Sequence, residues 1–116
     1  MSLETAHRIY ELIDTGDTAG LAALFTEDSV YHRPGYPPLV GRGRIEHFYN
    51  HERVIRDGHH TLDRVLVTED GLAVHGGFRG TLRDGSQAAH RFAEFFELTA
   101  DGLISRRDTF FFVPLV

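Results

Sequence analysis

The stretch "QAAHRFAEFFELTADGLISRRDTFFFV", residues 87–113, decides how the chain is read. Two runs rich in aromatic and branched residues flank "ADG", a hairpin-type turn signal, so the segment predicts two long antiparallel strands. In the first run His90, Phe92, Glu94, Phe96 and Leu98 alternate onto one face. In the second, strict alternation places Ile104, Arg106, Asp108, Phe110 and Phe112 together, with Leu103, Ser105, Arg107, Thr109, Phe111 and Val113 opposite. Asp108 then shares a face with Ile104 and two phenylalanines. Desolvation there would raise its pKa and make it an acid or base near neutrality; alternatively it pairs with a nearby arginine as a salt bridge. Glu94 has parallel alternatives. It is a protonated acid donating to a developing oxyanion, or an outer-face carboxylate satisfied by Arg91 or Arg79.

Moving toward the N-terminus, "RDGS" and "EDG" separate two further strand-like runs, "LAVHGGFRGTLRD" and "HHTLDRVLVTED". Gly76, Gly77 and Gly80 suit bulges or bends in a long strand. Before Gly58 the pattern is helical. Leu3, Ala6, His7, Ile9, Tyr10 and Ile13 recur at helical spacing, with Ser2 as N-cap and Gly16 as stop. Asp17 can cap a second helix, "TAGLAALF", bearing Leu21, Leu24 and Phe25. "SVYH" reads as a short strand. Residues 41–56 read as a third helix with Ile45, Phe48, Tyr49, Glu52 and Ile55 on one face. Helices followed by a strand meander give an α+β class: a cone-shaped barrel of a strongly curved, mostly antiparallel sheet wrapped by three N-terminal helices. One domain over residues 1–116 is expected. Its interior should be an apolar pocket, with Tyr10, Tyr49, Phe92, Phe96 and Phe110 as substrate-binding walls.

Composition narrows the function. The net charge is −5 with no basic run, which argues against nucleic acid. The chain has no cysteine, so disulfides and thiolate chemistry are excluded. All twelve basic residues are arginine, which excludes Schiff-base catalysis by a lysine. The N-terminus is not a signal peptide and no run approaches a membrane span, so no membrane partner and a cytoplasmic location are the expectation.

Few motifs carry chemistry. His32 closes the short strand, immediately before a loop stiffened by Pro34, Pro37 and Pro38. Its imidazole can take and return protons at neutral pH, or it is an ordinary structural histidine. His47 and His51 stand at i, i+4 but lack a third ligand, so no metal is expected. His59 and His60 open a strand and point to opposite faces. "GRG" and "HGGFRG" lack a nucleotide fingerprint, and no serine sits in a nucleophile elbow. No cofactor is implied.

The segments "GDTAGLAALFTEDSVYHRPG", "GRGRIEHFY" and "FELTADGLISRRDTFFF" together resemble the nuclear-transport-factor-2-like superfamily, and within it the SnoaL-like and ketosteroid-isomerase-like branch. The resemblance implies a cone-shaped fold, a homodimer, a deep pocket and cofactor-independent chemistry. The isomerase base falls on Arg33 counted forward from "GD" and on His32 counted back from Gly41; only histidine can act as a base. The second isomerase acid falls on Glu94. The isomerase tyrosine falls on Ile9, one residue from Tyr10, a departure from a true steroid isomerase. Asp108 matches the functional aspartate of SnoaL-like cyclases and of limonene-epoxide-hydrolase-like enzymes; "HGGFRGT" supplies Arg79 but no second aspartate for the hydrolase triad. The implied function is an acid–base enzyme acting through an enolate on a small, largely apolar carbonyl or polyketide-type substrate, with Asp108, His32 and Glu94 as catalytic residues. Epoxide opening with Asp108 activating a nucleophile is the enzymatic alternative, and a non-catalytic binding or dimerisation module the other.

Overall fold

Ala6, Ile9, Tyr10, Leu12 and Ile13 form the buried stripe of helix α1, Leu3–Thr15, in a computed structural model that describes residues 3–112. Ser2, the expected cap, and residues 113–116 lie outside the described residues. The helix stops at Gly16, whose φ of 75° suits a residue without a Cβ. There the amides of Gly16 and Asp17 donate back to the carbonyls of Ile13 and Leu12. Asp17 then caps helix α2, Thr18–Ala22, accepting from the Gly20 amide at 2.9 Å.

Tertiary pairing shortens both following helices relative to expectation. Phe25 leaves α2 and opens strand β1, Phe25–His32, because it pairs with buried Ile104 across the sheet. A two-residue strand β2, Leu39–Val40, returns antiparallel to β1. Helix α3 spans only Arg42–His47 and continues into a π-helical turn, Phe48–Glu52, which closes with the Arg53 amide donating to Phe48 O at 2.9 Å. Ile55, expected on that helix, instead begins strand β3, Ile55–Val67, opposite Leu82 of β4, Gly71–Leu82. Strands β5, Gln87–Leu98, and β6, Ile104–Phe112, complete the sheet.

The order is β2-β1-β6-β5-β4-β3, antiparallel throughout except for the parallel β1–β6 pair. This is the expected α+β architecture, with a curved sheet closed by the helices over a core that includes Ile9, Leu21, Phe25, Tyr31, Leu39, Ile45, Phe48 and Ile104. No helix among the described residues is long and apolar enough to cross a membrane.

Bulges bend the sheet. One lies in β3 between Leu62 and Arg64, opposite Gly76 and His75. A Cβ on Gly76 would stand 2.0 Å from the Thr61 carbonyl oxygen, so the strands can meet there only over glycine. Gly77 carries no such constraint, since a Cβ there would meet nothing nearer than 3.8 Å. Gly76→Ala is expected to cost about 1–3 kcal/mol of stability in urea unfolding, and Gly77→Ala to stay near wild type. Equal effects at the two positions would contradict this account of the bend.

A second bulge sets the site. Glu97 pairs with Arg106 and Leu98 with Ile104, which leaves Ser105 as an extra residue in β6. Strict alternation therefore fails along this strand. Ile104 faces inward, and after the bulge so do Arg107, Thr109 and Phe111, whereas Arg106, Asp108, Phe110 and Phe112 face outward.

Candidate active site

On β5 the inner face is His90, Phe92, Glu94, Phe96 and Leu98, in keeping with the alternation, and Glu94 is almost fully buried. Its carboxylate is saturated. Arg107 Nε donates to Oε2 at 2.6 Å and Nη2 to Oε1 at 3.1 Å, Tyr10 Oη donates to Oε1 at 2.6 Å, and the Thr109 hydroxyl donates to Oε2. Burial alone would raise the Glu94 pKa. The charge and hydrogen bonds of Arg107, with those of Thr109 and Tyr10, outweigh it and hold the carboxyl below its ordinary value. The expected protonated oxyanion donor is thus an ionised, fully engaged acceptor. Tyr10 is committed to the same cluster. Burial, and then the Glu94 carboxylate, push its phenol well above the usual range.

Arg107 is anchored further by Tyr49, whose hydroxyl accepts from Nη1 at 2.7 Å, and by the Tyr31 ring 4.3 Å beneath its guanidinium. Glu94, Arg107 and Tyr49 line a small interior cavity together with Arg33, Arg53, His60, His90, Phe78, Phe92 and Phe111. Larger concavities lie on the surface, such as the groove between α1 and the β5–β6 turn, but the buried titratable groups gather in the cone. The interior, expected to be apolar, is instead mixed: Ile13, Ile55, Phe78, Phe92 and Phe111 share its wall with the guanidiniums of Arg33, Arg53 and Arg107. Phe92 does form wall, and Phe96 packs beneath Arg107.

Alternation along β1 settles the register left open between His32 and Arg33. Tyr31 points inward and His32 outward; Arg33, just after the strand, turns inward again and donates to Tyr31 Oη at 2.9 Å. Its guanidinium also packs over the rings of Phe48 and Phe111. Arg53 enters from the end of the π-helical turn, over the ring of Tyr49, and its buried Nε has no hydrogen-bond partner among the described residues. The local field follows from these cations. Burial, then Arg33 and His60, lower the His90 pKa. Tyr31 is lowered as well: burial would raise it, but Arg107 and Arg33 outweigh that.

His60, on β3, lines the same cavity. Its Nδ1 lies 2.5 Å from Asp14 Oδ1, and its backbone amide donates to Asp14 Oδ2 at 2.9 Å. The ring is wedged among Tyr10, Phe78 and Phe92. A carboxylate at Nδ1 favours the tautomer protonated there, which leaves Nε2 with a free lone pair. Asp14 lies one turn after Tyr10 on the apolar side of α1, an unusual place for an acid; that spacing is the one sequence signal for the dyad.

The other expected site residues lie elsewhere. His32 and Asp108 do meet, at 2.7 Å between Nδ1 and Oδ1, but on the outer face of the sheet. Arg106 Nε also donates to both Asp108 oxygens, at 3.1 and 3.2 Å. Partial burial would raise the Asp108 pKa; the hydrogen bonds from Arg106 and His32 more than reverse this and lower it, opposite to expectation. Phe110, expected as a pocket wall, stands on the same outer face and is 56% exposed. The His47 and His51 rings lie tilted against each other with centroids 4.8 Å apart, and no group of three metal-ligating side chains occurs among the described residues.

A family model described as a SnoaL-like domain matches residues 6–107. Among solved structures, an NTF2-like protein of unknown function from Burkholderia pseudomallei is 20% identical, with a TM-score of 0.84 over 96% of this chain and 92% of that one. A ketosteroid-isomerase-like fold from Catenulispora acidiphila, in complex with trimethylamine, is 15% identical, with a TM-score of 0.82 over 95% and 86%. SalBIII, an epoxide hydrolase/cyclase-like enzyme in pyran ring formation in the polyether salinomycin, is 17% identical, with a TM-score of 0.81 over 93% and 88%. No curated protein matches the sequence.

Proposed function

The chain belongs to the SnoaL-like domain family, and from that membership and its interior site we propose that it is a cofactor-independent acid–base enzyme acting on a small carbonyl compound inside the cone. The observation that carries the proposal is the Asp14–His60 dyad bordering a cavity walled by guanidinium groups. In the proposed reaction His60 Nε2 takes the proton from the carbon next to the carbonyl. The C–H pair becomes the enolate π-bond, and the charge moves to oxygen, where Arg33, Arg53 and the Tyr49 hydroxyl stabilise it. Asp14 holds the ring and offsets the charge of the imidazolium. Return of the proton to another carbon, aldol closure or elimination completes the cycle. Glu94 fixes Arg107, which in turn fixes Tyr49, so these residues position the wall.

The experiment is proton exchange in D₂O, followed by NMR over a panel of small ketones and keto acids. Catalysed exchange next to the carbonyl is expected; its absence across the panel contradicts the reading. A second reading, ligand binding without turnover, draws on the fullness of the cavity. The unfilled space, ≈ 20 Å³, admits little more than one water until side chains move.

The proposed assembly is a homodimer through the outer face of β5 and β6. Phe95, Phe110 and Phe112 are each more than half exposed there, and Phe95 and Phe110 pack edge to face. His32, Asp108 and Arg106 would contribute the polar part of that interface. Light scattering is expected to give a dimer mass for the wild-type chain and a monomer mass for Phe110→Asp. A wild-type monomer, or an unaffected dimer in the variant, contradicts it.

A further inference from the structure

We infer that the interior site takes a small molecule bearing a carboxylate, held by Arg33 and Arg53. This rests on reading the cone interior as the ligand site. Three guanidiniums and one carboxylate line the cavity, an excess of two positive charges around a small volume. Glu94 is consumed by Arg107, Tyr10 and Thr109. Among the described residues the Arg33 guanidinium has the Tyr31 phenol as its one hydrogen-bond partner, and neither Arg33 nor Arg53 has an acid partner. The Arg53 Nε is buried with its hydrogen bond unmade. A buried donor left unpaired on a charged group is costly, and Arg53 is destabilised as a cation first by burial, with the charges of Arg33 and Arg107 adding to it. A carboxylate placed between Arg33 and Arg53 would meet every one of these deficits at once, and guanidinium forks match its geometry in two parallel hydrogen bonds.

Both side chains also come from irregular chain. Arg33 follows the end of β1 and Arg53 lies between the π-helical turn and β3, so neither is locked within a strand or helix. A ligand would enter by displacing their guanidiniums toward its own acid group. With His60 in the wall of the same cavity, a keto acid would present its carboxylate to the arginines and its reactive carbon to the imidazole.

The test is calorimetric titration of the full chain, in low-chloride buffer, with acetate, pyruvate and benzoate, each against its neutral amide. At least one carboxylate is expected to bind about tenfold or more tighter than its amide. Arg53→Met should remove that preference while circular dichroism remains native, and Arg33→Met and Arg53→Lys serve as independent checks should Arg53→Met not fold. No carboxylate preference in the wild type, or a preference that survives both methionine variants, overturns the inference. The outcome is separable from the catalytic proposal. Carboxylate binding without proton exchange keeps the inference and removes the enzyme reading; exchange on neutral ketones without carboxylate preference does the reverse.

Discussion

Glu94→Ala is expected to remove about 3–5 kcal/mol of folding stability, a large share of the roughly 5–15 kcal/mol typical of a domain. The loss arises mainly from what is left behind. Arg107 is almost fully buried, and without its bidentate acid it keeps the Tyr49 hydroxyl and the rings of Tyr31 and Phe96 but no counter-charge. Tyr10 and Thr109 lose their acceptor as well. Replacing both ions, as Glu94→Leu with Arg107→Met, is expected to recover most of the loss, because no uncompensated charge then remains. Urea unfolding of the two single variants and the double variant makes the comparison. A Glu94→Ala protein within about 1 kcal/mol of wild type would show that the ion pair is not what holds this side of the cone.

The same pair sets a pH dependence. The folded Glu94 carboxyl titrates below its ordinary value, so as pH falls the unfolded chain binds this proton first. Its stabilising contribution is complete above the unfolded range, about 4.3, and is lost as pH drops toward and through the lower folded value. The wild-type melting temperature should therefore fall faster with acid than that of the Glu94→Leu, Arg107→Met protein. Parallel curves would contradict the assignment.

The second large effect is catalytic. His60→Gln is expected to lower proton exchange by about 10²–10⁴-fold, the usual contribution of a positioned base. Asp14→Asn provides a gentler probe of the same device. An asparagine amide can donate to Nδ1, which moves the imidazole proton to Nε2 and leaves no lone pair for the substrate. Exchange should fall in this variant although side-chain shape is conserved. If Asp14→Asn keeps wild-type exchange while His60→Gln loses it, the imidazole acts without needing Asp14 to set its tautomer.

How far the sequence foretells this arrangement varies by element. The strand meander, its turns, the helical N-terminal half and the α+β class are legible, because alternation and helical periodicity are local properties. Alternation also groups Glu94 with His90, Phe92, Phe96 and Leu98, but both faces of that strand carry apolar residues, so only packing shows which face turns inward. What local pattern misses is non-local. A single bulged residue, Ser105, reverses the faces of Asp108 and Arg107, and nothing in "LISRRDTFFF" marks where a ladder will skip. His32 and Asp108 come together as a pair, yet on the outside of the sheet. Arg33 and Arg53 gain their importance from the loop after β1 and the π-helical turn, whose geometry periodicity does not encode. Asp14 and His60 lie 46 residues apart in the chain, so only the packing of α1 against β3 shows them to be a dyad.

Proton chemistry, on this account, belongs to the interior dyad and not to the outer one. Exchange measured side by side on His60→Gln and Asp108→Asn tests this directly. The expected result is a loss of at least about 100-fold for His60→Gln, with Asp108→Asn within about threefold of wild type. Retained exchange in His60→Gln with loss in Asp108→Asn would return the chemistry to the outer face and contradict the account.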